Sequence, residues 1–275
     1  MQKKQAVAHV VDQGLCSVRR ACRYLDVYRS TYRYQAQPIP SKQRQLHQRI
    51  VALSWQYPRY GYRRIRALLA QEGWPVSRKQ VQRIRRKEGL EVRPKPQRIP
   101  RQGVSTGLPT QAHHLNQVWT WDFIFDRTDK GSTLKMLTML DEYSRRCLAI
   151  RVERQIESEH VLMTLWQAMT TYGISRYIRS DNGSEFIAQK IQIWLRKNQI
   201  KTLYIDPGSP WQNGYIESFH SRFRDECLNR EWLLNLREAR VVINEWRDYY
   251  NEETLHSRLG YLSPAGLIAN QKVSP

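Results

Sequence analysis

Acidic residues are scarce in the first two-fifths of this chain. Residues 1–110 carry 5 Asp and Glu against 24 Lys and Arg, a balance of +19, whereas the remainder carries 20 against 21. Nearly all of the formal +20 charge of the 275 residues therefore lies in one segment. Such a segment is the electrostatic footprint of a polyanion binder, and the commonest polyanion is nucleic acid. The alternative is a solvated helix face kept soluble by charge. Cysteine is equally sparse: Cys16, Cys22, Cys147 and Cys227 form no CxxC pair, and none lies at zinc spacing from the adjacent His113 and His114. That argues against a disulfide framework and a zinc-binding amino-terminal domain, and suits reduced thiols. Long apolar runs are missing too, since no eighteen consecutive apolar residues occur and the opening MQKKQAVAHVVDQGLCSVRR is too polar for a signal peptide. The expectation is a cytoplasmic protein without a membrane span, associated with the chromosome of a cell that has no nucleus.

The chain divides by composition. Residues 1–37 predict a helix-turn-helix-like module: a helix through Val7, Val10 and Val11, a second capped by Ser17 with Ala21, Cys22 and Leu25, a turn at Asp26 and a third helix from Arg29. A plain helical scaffold with surface arginines fits this stretch as well. Residues 43–91 read as a basic helical DNA-binding module with apolar positions at Leu46, Ile50, Leu53, Ser54–Trp55, Ile65, Leu68, Leu69, Val81 and Ile84. Ser77 is the expected N-cap of its last helix. That helix presents Arg78, Lys79, Arg83, Arg85, Arg86 and Lys87 as candidate phosphate contacts, which position a protein on DNA without reading sequence. Residues 92–115, rich in Pro, Gln, Gly and Thr, read as an extended basic linker.

From residue 116 the pattern alternates. Three strands are predicted at 118–126, 134–140 and 147–152, then a helix at 159–172 with Val161, Leu162, Leu165, Trp166 and Met169 on one face. A strand at 176–180, a helix at 187–198, a strand at 201–205 and a helix carrying Glu217 follow. This is the order of an α/β ribonuclease-H-like catalytic core, spanning 116–235, here joined to all-α modules of helix-turn-helix type. Residues 236–275 are expected to form one helix, with Val241, Val242, Trp246 and Tyr249, and a polar tail.

Three carboxylates stand in unlike local settings: Asp122 inside the aromatic strand WTWDFIFD, Asp181 where a strand breaks at SDNG, and Glu217 near a helix start, with thirty-five residues between the last two. Singly they read as a strand-end acid, an Asx turn and a first-turn acid favoured by the helix dipole. Jointly they suggest a metal site, because a charge within a mostly buried strand is costly unless paired or bound to metal. A hard cation such as Mg²⁺ takes oxygen ligands, and two ions about 4 Å apart would hold the attacking and leaving oxygens of a phosphodiester.

YPRYGYRRI from Tyr57, WTWDF from Trp119, LDEYSRR with Asp141, RSDNGSEF from Arg179, SPWQNGYIESF from Ser209, RDECLN from Arg224, and YN followed by HSRLGYLSPAG from Tyr250 resemble, in order, the motifs of the second-frame product (OrfB) of IS-three family insertion-sequence transposases, within the retroviral-integrase superfamily. The resemblance spans nearly the whole chain. It implies that Asp122, Asp181 and Glu217 are both the catalytic residues and the ligands of two Mg²⁺ or Mn²⁺ ions, and that Arg224, seven positions after the last acid, grips DNA. A salt bridge to its acidic neighbours is the other reading of Arg224. The resemblance also implies transposon-end and target DNA as partners, homo-oligomerisation, and cooperation or fusion with an upstream-frame product (OrfA). The implied reaction is metal-dependent strand cleavage followed by strand transfer, the chemistry of a polynucleotidyl transferase. The departures are Thr254–Leu255 in place of Arg-Pro, and His220 where Asn is frequent. A non-catalytic DNA-binding regulator or transposase relic using only the basic segment is the alternative, and a ribonuclease-H-type hydrolase is a third reading.

Overall fold

The computed structural model describes residues 2–35, 40–92, 111–180, 189–205 and 210–273. Two sets of three helices come first. Helices α1 (Gln2–Asp12), α2 (Val18–Tyr24) and α3 (Arg29–Arg33) close on Val7, Ala21 and Cys22. Asp26 makes the turn between α2 and α3 at φ 50°, a left-handed conformation that Asp tolerates better than most residues. Helices α4 (Ser41–Gln56), α5 (Tyr62–Gln71) and α6 (Arg78–Lys87) bury Ile50, Leu53, Ile65, Leu69 and Val81. The Ser77 side chain caps α6 by accepting from the Gln80 N–H at 3.2 Å. Trp55 departs from its expected apolar face: it is 71% exposed, while its neighbour Ser54 is buried and donates to the Ile50 carbonyl.

The remainder is built on five strands: β1 (Val118–Arg127), β2 (Thr133–Asp141), β3 (Cys147–Glu153), β4 (Tyr177–Ser180) and β5 (Lys201–Tyr204). Their order is β3-β2-β1-β4-β5, with β1–β2 and β2–β3 antiparallel and β1–β4 and β4–β5 parallel. This mixed sheet with helices on both faces is the ribonuclease-H-like arrangement the element order predicts. Strand alternation assigns the faces. Trp119, Trp121, Leu137 and Met139 point to helices α7 (Ser158–Tyr172) and α8 (Gln189–Lys197). Ile124, Leu134, Met136 and Leu140 point to α9 (Gly214–Phe223) and α10 (Leu236–Glu252). Trp166 on α7 is 59% exposed and Val241 on α10 is 54% exposed, so neither belongs to the buried face that its spacing suggests. The expected polar tail instead folds: a bridge joins His256 to Leu262, and helix α11 spans Pro264–Val273.

Three of the motifs supply internal fasteners. The Asn251 amide, from the YN pair, both accepts from the Cys147 N–H (2.8 Å) and donates to the Cys147 carbonyl (2.9 Å), locking α10 to β3. Arg179 and Glu142, from RSDNGSEF and LDEYSRR, form a two-pronged ion pair at 2.7 and 3.4 Å with side chains only 2% and 0% exposed. Burial pushes the Glu142 carboxyl up, and the guanidinium beside it pulls the other way.

The α4–α6 unit is fastened to the sheet domain by its YPRYGYRRI loop. Leu255 completes its core, and the Tyr60 hydroxyl accepts from the Leu255 N–H. Arg59 reaches Asp225 at 3.5 Å, and Arg64 and Arg222 share the half-buried Glu226 at 3.6 and 3.7 Å. Among the described residues no helix is long and apolar enough to cross a membrane.

Candidate active site

Helix α9 lies along β1, is tied to it near both ends and touches it at its middle. Near its start, the Thr120 hydroxyl donates to the Asn213 side-chain oxygen at 2.7 Å in a buried bond. In its middle, His220 Nδ1 lies 3.8 Å from Asp122 Oδ2. At its end, Arg224 Nη2 donates to the Phe125 carbonyl at 3.0 Å. Asp122 sits where β1 passes from fully buried residues to partly open ones, and its side chain is 25% exposed. Glu217, in the first turn of α9, is exposed. Glu217 stands three residues before His220, on the helix whose middle meets Asp122. Asp181 follows directly on β4, which pairs with β1, but lies outside the described residues.

His220 is held in one tautomer by a short relay. The Thr138 hydroxyl has a single proton and gives it to the Asp122 carbonyl at 2.9 Å. Its oxygen must then accept from His220 Nε2–H at 2.7 Å, which leaves Nδ1 with a lone pair on the side of Asp122. Burial, reinforced by Arg224, lowers the imidazole pKa to about 4. The 3.8 Å contact is thus between a neutral ring and a carboxylate, not an ion pair. A neutral ring adds no positive charge to compete with a cation at Asp122.

The donors fit a hard divalent ion: carboxylate oxygens, partly open to solvent, on two different elements. Among the described residues no group of three or more His, Cys, Asp or Glu gathers closely enough to hold a metal. The third expected ligand, Asp181, is not among them.

The basic candidates divide. Arg78, Lys79, Arg83, Arg86 and Lys87 are exposed along α6. Arg85 is a correction. It is 3% exposed and its guanidinium donates to the Tyr60 and Leu90 carbonyls, both at 2.7 Å, so it braces the YPRYG loop and is not free to meet phosphate. Helical periodicity carries the signal: Arg85 follows Val81 by four residues, on the buried stripe. Arg224 is exposed and bonds a backbone carbonyl, not Asp225 or Glu226, whose carboxylates are taken by Arg59, Arg64 and Arg222. It opens a π-helical turn, Arg224–Leu228, a feature found frequently at functional sites.

Comparison with known proteins follows the same divisions. Models described as Integrase core domain match residues 112–210 and 198–264, and one described as HTH-like domain matches residues 40–98. The helix-turn-helix likeness thus falls on α4–α6 and not on α1–α3, where the Asp26 turn suggests one. The chain is 37% identical over 263 residues to the "Insertion element IS407 uncharacterized 31.7 kDa protein" of Burkholderia multivorans, covering 94% of this chain and 92% of that protein. It is 25% identical over 274 residues to "Transposase InsF for insertion sequence IS3A" of Escherichia coli, covering 92% and 94%. Among solved structures, the HTLV-2 integrase catalytic core domain in complex with magnesium aligns over 55% of this chain and 94% of that one, with 18% identity and a TM-score of 0.41.

Proposed function

The chain belongs to the insertion-sequence transposases of the IS-three family, and from that premise we propose that it cuts and joins DNA strands through Asp122, Asp181 and Glu217 with two Mg²⁺ or Mn²⁺ ions. The observation that supports this reading is that α9, the helix carrying Glu217, packs against β1 beside Asp122, with His220 at the contact. The ions would supply Lewis-acid polarisation of the phosphodiester and charge neutralisation as the displacement proceeds. The protein's own task is positioning, since phosphoryl transfer leaves it little covalent work. Asp122 and Glu217 hold carboxylates at fixed points on a rigid strand and helix. His220 stays neutral beside Asp122, and its Thr138 anchor keeps the ring from turning. Arg78, Lys79, Arg83, Arg86 and Lys87 on α6, and Arg224 beside the acids, are the proposed phosphate contacts. The expected assembly is a homo-oligomer that brings two element ends together, acting with or fused to the upstream-frame product.

The test is Mn²⁺- or Mg²⁺-dependent joining of labelled element-end DNA by the wild type and by Asp122→Asn, Asp181→Asn and Glu217→Gln, alone and fused to the upstream frame. Joined product from the wild type, absent from each variant while DNA binding is kept, supports the assignment. Joining by any of the three at the wild-type rate would sink that residue's role.

A further inference from the structure

The flank of α9 beyond Ser218, turned away from His220, borders a second basin. Ser218 and Arg222, one turn apart, line with Tyr215, Arg145, His256 and Arg258 a cavity of about 410 Å³. That size falls within the roughly 300–1,000 Å³ range of small-ligand sites. Among the described residues no carboxylate lines it, and three guanidiniums do.

Each guanidinium is disposed differently. Arg145 is held at φ 64°, a backbone region unusual for a residue with a side chain, and its guanidinium lies over the Tyr215 ring at 3.9 Å. Its Nη1 is buried and has no hydrogen-bond partner among the described residues. Arg222 spends one edge on Glu226 and sets Nη1 3.2 Å from His256 Nε2. Arg258 is exposed on the rim, with no ion pair among the described residues. The positive field that Arg145 and Arg258 give the cavity favours an anion brought from outside. The stacked Arg145 and Tyr215 add a flat surface of the kind on which nucleobases lie.

We propose that this cavity takes one unpaired nucleotide of the DNA end, its phosphate on Arg145 and Arg258 and its base beside Tyr215. The inference rests on the reading of the chain as a transposase acting on DNA ends. Ser218 lines the cavity and follows Glu217 directly, so a nucleotide held there would lie beside the proposed acids. Fraying the end in this way would draw the scissile phosphate toward the acids.

The experiment needs no chemistry and is done on the full chain in EDTA. Affinity is measured for a fluorescein-labelled duplex with a short thymidine overhang and for the same duplex made blunt. The overhang is expected to tighten wild-type binding about tenfold, the size of one base on an aromatic platform. The Arg145→Gln, Arg258→Gln double variant should lose that gain while keeping its affinity for the blunt duplex. In parallel, 5-iodouracil in the overhang should crosslink the wild type at Tyr215. No gain from the overhang, a gain that survives in the double variant, equal loss on both duplexes, or a crosslink elsewhere would each overturn the proposal. Joining activity reads separately: a chain unable to join strands that still shows the overhang gain would sink the catalytic assignment and leave the pocket standing.

Discussion

Replacing Glu142 by Gln leaves the Arg179 guanidinium charged, 2% exposed and facing a neutral amide where Glu142 supplied a carboxylate. Breaking such a pair from one side costs about 3–5 kcal/mol, because the surviving charge keeps its desolvation penalty and loses its compensation. For a folded unit of this size each kcal/mol moves the midpoint by about 2–4 °C, so thermal unfolding should fall by about 6–20 °C. Arg179→Met should cost a similar amount from the other side. Changing both, to Leu at 142 and Met at 179, should recover most of the loss, since apolar side chains of similar volume often replace a buried ion pair without penalty. The assay is tryptophan emission on heating, with the fully buried Trp119 and Trp121 reporting the core. Single variants melting within about 2 °C of wild type, or a double variant melting at the sum of the single losses, would refute the reasoning, because a true pair cannot be additive.

Arg83→Ala should lower the salt slope of DNA binding by about one phosphate contact, whereas Arg85→Ala should leave that slope alone and destabilise the α4–α6 unit, measurable as a lower melting point. Stability should fall as the pH drops below 6.5. His220 and His256 are held neutral in the fold, their pKa values lowered first by burial, so the unfolded chain takes up protons that the folded chain does not. Their contribution is whole above the unfolded pKa and is lost on acidification, at up to about 1.4 kcal/mol per pH unit for each ring, until His220 itself titrates near 4. Denaturant titrations of wild type and His256→Gln across that window should show the smaller slope in the variant. Glu226→Gln should loosen the contact between α4–α6 and the sheet domain, since Arg64 and Arg222 would then face each other without their shared counter-charge, and protease should cut the variant faster at native conditions.

The sheet was legible because its strands are largely apolar and are bounded by polar turns or by amphipathic helices, and every one of the five lies within a residue or two of where β-propensity and alternation put it. The approach of α9 to β1 beside Asp122 was readable only as a motif, because no local pattern says which helix crosses which strand. Trp55, Trp166 and Val241 went astray for a common reason: an apolar residue at the edge of a helical stripe is buried only if a neighbouring element covers that edge, which is a tertiary fact. Arg85 erred the opposite way. A run of basic residues reads as one solvated face, yet a ten-residue helix shows every side to something, and one arginine of the run had to point inward. The Arg179–Glu142 pair was hidden because its partners stand thirty-seven positions apart and each reads as an ordinary motif charge.

Leu255 fills the core of a helical unit whose own residues begin some two hundred positions earlier. Synthesis runs from the amino terminus at about 5–20 residues per second, so α4–α6 emerge from the ribosome well before the residue that seals them. For that interval the unit exposes the gap that Leu255 will close, and its YPRYGYRRI loop has no Asp225 or Glu226 to grip. A transposase that meets DNA while still being made would do so with its basic helices present and its two halves not yet joined. Full attachment of the helices to the acids therefore waits for residue 255 to be made, and a chain stopped short of it would carry the charge without the coupling.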